Sequence, residues 1–194
     1  MSHLEKRPEI TADEAIRRLK EGNRKFLEND SYQGNFSKEI RHYAATAGQK
    51  PYAIVICCSD SRVIPEAAFQ SDIGDLFVIR IAGNVIDNHQ LGSIEYAADH
   101  LGSPLVVVLG HSKCGAVDAA MNHNPDGFIK YITDEISLAI GDEKDERRAC
   151  CLNVKQSVRR IESSLEIQEI EDEVGLRVIG ALYDIETGEV EFEI

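Results

Sequence analysis

Three short, nearly unbroken apolar runs constrain this chain more than any other feature: "YAIVICC" (52–58), "LFVIRIAG" (76–83) and "PLVVVLG" (104–110). A strand with one solvated face alternates apolar and polar residues, whereas a run this continuous suits a strand covered on both faces. Between the second and third runs lies "LGSIEYAADHLG", a helical stretch flanked by glycines. Strand, helix, strand at this pitch predicts parallel pairing through right-handed crossovers. The expected fold class is α/β, with a central, mostly parallel sheet of about four parallel strands flanked by helices.

The remaining chain extends that plan. "TADEAIRRLKEGNRKFLEND" predicts an amphipathic helix, with Thr11 and Glu14 as a capping box and Ala15, Leu19 and Phe26 at helical spacing. The polar stretch that follows, up to Pro51, reads as an arm or short helix. "CGAVDAAMNH", "FIKYITDEISLAIG" and "DERRACCLNVKQSVRRIESSLEIQEI" predict further helices. The final "GLRVIGALYDIETGEVEFEI" predicts a strand, a turn at Thr187-Gly188 and a strand with alternating Val190, Phe192 and Ile194, suited to an antiparallel edge. The expectation is a helical N-terminal arm over residues 1–48 and an α/β domain over 49–194, a single domain overall.

A net charge of −13 excludes a nucleic-acid partner, since phosphate binding needs a basic surface. No apolar run approaches the roughly 20 residues that span a bilayer, so no membrane partner is expected. The start "MSHLEKRPEI" lacks a signal peptide's apolar stretch, and the expected location is cytoplasmic. Five cysteines, an odd number including the adjacent pairs Cys57-Cys58 and Cys150-Cys151, do not form a secreted disulfide framework. Reduced thiols then serve packing, metal binding or redox work.

Chemistry concentrates where the runs end. The first run leads into "CSDSR", which puts a thiol, a carboxylate and a guanidinium within five residues, Cys58 to Arg62. The third leads into "GHSKCGAV", with His111 and Cys114 three apart on a turn into a helix. A lone His-x-x-Cys is weak evidence, equally a satisfied histidine beside a buried thiol. Two such exits on one rim of a parallel sheet change the reading. Two thiolates and an imidazole suit zinc, with the fourth tetrahedral position open as in catalytic rather than structural sites. Asp60 either reaches the metal as a fourth ligand or pairs with Arg62, whose guanidinium grips a carboxylate through two parallel hydrogen bonds. Cys57, Cys150 and Cys151 read as core or surface thiols, Gly83 as a tight turn, and "EIQEIEDEVG" as a solvated helix end.

"CSDSR" and "GHSKCGAV", with "FVIRIAGN" and "GSIEYA" between them, resemble the β-class carbonic anhydrases over about Gln49 to Asp118. The resemblance implies one Zn²⁺ per subunit held by Cys58, His111 and Cys114, and a catalytic dyad of Asp60 and Arg62. It implies substrate contacts at Gln49, Phe77 and Tyr96. Val55 stands where some members carry a tryptophan of a second bicarbonate site, and this chain has no Trp. The implied reaction is reversible hydration of carbon dioxide to bicarbonate and a proton, by attack of zinc-bound hydroxide. The implied assembly is a homodimer or homotetramer in which a partner completes part of the cleft. A hydrolase of carbonyl sulfide or carbon disulfide using the same zinc site is an alternative, as is a silent zinc-binding regulatory module. The intact Asp60 and Arg62 disfavour the silent module. A thiol redox protein is weaker, because no Cys-x-x-Cys is present.

Overall fold

Each apolar run forms a strand in the computed structural model, which describes residues 10–29, 31–123 and 125–194. The first nine residues of the expected arm lie outside the described residues. The strands are β1 (Ala53–Cys57), β2 (Leu76–Arg80), β3 (Leu105–His111), β4 (Arg177–Tyr183) and β5 (Val190–Phe192). They form one sheet in the order β2-β1-β3-β4-β5; the first four are parallel and β5 pairs antiparallel with β4. The chain thus leaves β1 to one side to make β2, then crosses to the other side to make β3. Such a reversal opens a crevice between the carboxyl ends of β1 and β3, the usual ligand position in an open α/β sheet.

The helices are α1 (Ala12–Asn29), α2 (Lys38–Ala47), α3 (Pro65–Ala68), α4 (Asn88–Glu95), α5 (Gly115–Asn122), α6 (Ile129–Ile140), α7 (Glu146–Glu162) and α8 (Leu165–Val174). A π-helical turn, Tyr96–His100, continues α4. The strand period of two sorts the core onto two faces. Val55, Cys57, Val107 and Leu109 pack with Ala15, Ile16 and Leu19 of α1. Ile54, Ile56, Val106 and Val108 pack on the other face with Ile94, Val154, Ile161 and Ile167 from α4, α7 and α8. Every residue of β1 and β3 is buried, as the unbroken apolar pattern requires.

The N-terminal helices differ. At α1, Thr11 Oγ1 accepts from Glu14 N at 3.2 Å, but the Glu14 carboxylate turns to Arg17 and Arg18, so the expected capping box is half made. Gly22 lets α1 close on the chain beyond α3, because a Cβ there would lie 1.9 Å from the Phe69 carbonyl oxygen. In α2, Ser37 caps the first turn, yet no residue is buried.

β2 packs on both faces, Leu76 and Val78 against one core and Phe77 and Ile79 against the other, but as an edge strand its residues are half-buried or exposed rather than fully buried. Its sequence is as apolar as that of a central strand, while among the described residues no strand pairs with its outer edge. No described helix is long and apolar enough to cross a membrane.

Candidate metal centre

Parallel pairing of β1 with β3 sets Cys57 opposite Leu109, so both strands release their chains at the same rim. One residue past β1 comes Cys58; at the end of β3 comes His111, and Cys114 follows as the residue before α5. Between them Lys113 takes a positive φ of 55°, which turns the chain sharply enough to bring Cys114 back towards His111. The two sulfurs and an imidazole nitrogen all lie within 4.8 Å of one another. All three residues are buried, at 5%, 1% and 1% exposure.

The donor set passes a chemical test for zinc. His111 Nδ1 lies 2.9 Å from the Ser112 carbonyl oxygen, and only as a donor can it make that bond. This tautomer leaves the Nε2 lone pair free, and Nε2 is buried with no hydrogen-bond partner. A buried polar atom without a partner is costly, and a metal ion is one way to satisfy it. Zn–S near 2.3 Å and Zn–N near 2.0 Å around a tetrahedron require donors about 3.5–4 Å apart, which this cluster accommodates.

In the metal-free centre the two thiols are shifted in opposite directions. Cys58 is driven down, first by the hydrogen bond from the Cys114 thiol, with the neighbouring His111 imidazole and the Gly83 N–H adding to it against burial. Cys114 is driven up, by that same bond to the Cys58 sulfur and by burial. Burial pulls the His111 imidazole down, but the neighbouring Cys58 sulfur, the Ser112 carbonyl and the Asp60 carboxylate together raise it. Cys57, one residue earlier, faces the opposite core, and burial pushes its thiol up to about 12. Cys150 is likewise buried and pushed up to about 12, and Cys151 is half-buried; neither belongs to the donor cluster.

Beside the cluster, Asp60 is bound to Arg62 through both oxygens: Nε donates to Oδ1 at 2.9 Å and Nη2 to Oδ2 at 2.7 Å. The Arg62 backbone N–H also donates to Oδ1, at 3.0 Å. Arg62 therefore holds the Asp60 carboxyl well below the usual carboxylate range. The guanidinium reaches further, donating from Nη2 to the Lys113 carbonyl at 3.1 Å, which ties the dyad to the His-x-x-Cys turn. Arg80, at the end of β2, donates to the Asp60 backbone carbonyl at 2.7 Å. Asp60 Oδ2 stands 4.0 Å from His111 Nε2, at the border of the donor cluster but bound to arginine.

The structure thus brings together Cys58, Asp60, Arg62, His111 and Cys114. Gln49 is exposed just after α2. Phe77, opposite Ile54 on edge strand β2, and Tyr96, 47% exposed, pair with ring centroids 6.3 Å apart. Tyr96 also stacks on His100 at 5.2 Å, and the His100 Nδ1 lies 2.8 Å from Asp99. These aromatic residues form their own group on the open flank of β2. Residue types alone did not reveal Arg80 or Gly83, whose N–H donates to Cys58 Sγ at 3.3 Å. Backbone donors leave no mark in a sequence beyond the glycine itself.

The carbonic anhydrase family matches residues 53–190. Carbonic anhydrase 2 of Mycobacterium tuberculosis is 42% identical over 132 residues, which cover 65% of this chain and 63% of that protein. This chain therefore matches somewhat less than two thirds of that relative's length. The crystal structure of the β-carbonic anhydrase CafA of Aspergillus fumigatus superposes with a TM-score of 0.73 at 28% identity, covering 93% of this chain and 89% of that one. A tetrameric β-carbonic anhydrase of Sordaria macrospora superposes at 0.72 and 22% identity, covering 92% and 96%, and shares the fold.

Proposed function

The chain belongs to the carbonic anhydrase family, in its β class, and from that premise we propose that it catalyses the reversible hydration of carbon dioxide to bicarbonate and a proton. The observation that carries the reading is the doubly bonded Asp60–Arg62 pair standing beside three buried metal donors. A carboxylate free to swing would become a fourth ligand; one held by arginine leaves the fourth position to substrate.

Cys58, His111 and Cys114 would hold the zinc. Bound there, zinc supplies a Lewis acid that makes water at its open position more acidic. Asp60, kept ionised by Arg62, offers an acceptor oxygen at the rim of the cluster and orients the reacting water through a hydrogen bond. Arg62 adds a positive charge where the bicarbonate anion forms. Ser112, through its carbonyl, holds the His111 ring in the tautomer that presents Nε2. Two thiolates and a neutral imidazole bring the charge of a Zn²⁺ centre formally to zero, against +2 for three histidines. A neutral centre acidifies water less, so hydration should climb towards alkaline pH.

Gln49, Phe77 and Tyr96 are proposed as substrate-cleft residues, completed by a second copy of the chain. A homodimer, or a homotetramer like the Sordaria protein, would cover the half-buried flank of β2 and the unburied helix α2 with its exposed Tyr43 and the exposed Phe36 just before it. Residues 1–48 would then contribute an α1 that packs on its own core and an α2 that reaches beyond it. Two thiol ligands need a reducing compartment, and we place the enzyme in the cytoplasm on that ground.

Stopped-flow hydration of carbon dioxide by zinc-loaded and chelator-stripped protein, over pH 6 to 9, tests this. The expected result is zinc-dependent turnover that rises with pH. Absence of turnover in zinc-replete protein, or a profile flat across that range, overturns the reading.

A further inference from the structure

Asn153 and Ser157 stand one turn apart on the same face of α7, both buried, at 3% and 4% exposure. Asn153 Nδ2 donates to the Gly83 carbonyl at 2.7 Å, and Ser157 Oγ donates to the Asn84 carbonyl at 2.9 Å. Gly83 and Asn84 are consecutive residues with positive φ, 67° and 45°. Glycine adopts that conformation freely, whereas for asparagine it costs free energy and persists only where its surroundings over-determine it. Here the surroundings include two buried donors that grip both carbonyls from behind. α6 closes the turn as well, since a Cβ on Gly83 would lie 2.7 Å from Ile136 Cδ1.

The front of the same turn faces the metal centre. With the Gly83 and Asn84 carbonyls drawn towards α7, the Gly83 N–H donates to Cys58 Sγ. One turn before Asn153, Cys150 packs in the same buried cluster as Cys58 and Cys114. One face of α7 therefore touches both loops that supply sulfur, although none of its residues is a ligand.

We propose that Asn153 and Ser157 are positioning residues of the metal centre: by holding the Gly83–Asn84 turn they aim the Gly83 N–H at the Cys58 sulfur and so set how much charge that sulfur gives the metal. An N–H···S bond withdraws electron density from a thiolate, and such outer contacts tune a metal as well as orient its ligands. The effect matters most in a centre with two thiolates, where donation from sulfur has already neutralised the ion. The proposal rests on the reading that Cys58, His111 and Cys114 hold zinc.

The test uses cobalt(II) in place of zinc, together with competition against a chromophoric chelator. Asn153→Leu and Ser157→Ala remove the donors while leaving little empty volume. Ile161→Val, on the same helix but away from the turn, controls for simple destabilisation. The expected result is a sulfur-to-cobalt charge-transfer band moved to longer wavelength in both donor variants, with metal affinity weakened by roughly ten- to hundred-fold. The control keeps the wild-type band even where its melting temperature falls as far. If Asn153→Leu does not fold, Ser157→Ala decides alone. Donor variants that load cobalt and match wild type in band and affinity overturn the proposal, while a wild-type chain that takes up no cobalt overturns the metal reading and this proposal with it.

Discussion

The rim where β1 and β3 end and the flank of β2 carry residues assigned to one site, yet they are built in opposite ways. At the rim, three donors are almost wholly buried, their orientation is fixed by backbone contacts, and the dyad beside them is fully bonded. On the flank, Phe77 packs on Tyr96, which stacks on His100; both stay partly open to solvent, and Phe77 lies on a strand with no strand neighbour on its far side among the described residues. The metal donors all come from one chain and are buried, whereas the aromatic pair lies on the edge strand side of the sheet. Changes at the rim should therefore act on metal and turnover whatever the assembly, whereas changes on the flank should act only through assembly and substrate.

The largest expected effect lies at the border of the rim. Arg62→Ala releases Asp60, which then becomes a fourth ligand and closes the centre. Hydration should fall by about two to three orders of magnitude, the scale seen when a preorganised polar contact is removed, while bound zinc stays at the wild-type level. Retention of most of the turnover would remove the gate from the account.

A middle-sized effect follows from the protons stored in the metal-free centre. Cys114 and His111 both have raised proton affinity there, chiefly because of the Cys58 sulfur, and zinc needs both deprotonated. Protons must leave as zinc enters, so zinc affinity weakens as pH falls and strengthens as it rises. Adding zinc to stripped protein in weak buffer should release at least about one proton per site, and affinity should rise between pH 6 and 8. Metal uptake without proton release would contradict the raised proton affinity of Cys114 and His111.

The smallest effect belongs to the flank. Tyr96→Ala should leave zinc content unchanged and lower kcat/KM only by about ten-fold, the scale of one partly buried aromatic contact of about 1–1.5 kcal/mol. A loss of zinc in that variant would erase the distinction between the two regions.

The same contrast explains what was readable in the chain. Cys58, Asp60, Arg62, His111 and Cys114 were nominated because their chemistry is uncommon at strand exits and their spacing admits few other uses. The parallel order of the first four strands followed from β1 and β3 being apolar on both faces. For β2 the same pattern gave no sign of an edge, because an apolar run records packing on a strand's faces but not whether strands pair on both of its sides. The hold of Asn153 and Ser157 on the Gly83–Asn84 turn was equally illegible. Both look like ordinary polar positions of a charged helix, and their partners are backbone carbonyls, which every residue has. At the N-terminus, Thr11 was rightly read as a cap, but Glu14 had nearer cations in Arg17 and Arg18 than the backbone it was expected to reach.

X-ray absorption at the zinc edge, combined with metal counting on the purified protein, decides whether Cys58, His111 and Cys114 bind one ion together. One zinc per chain is expected, with two sulfurs near 2.3 Å, one imidazole nitrogen near 2.0 Å and one further light atom. A chain that retains no zinc, or a first shell without two sulfurs, would contradict it.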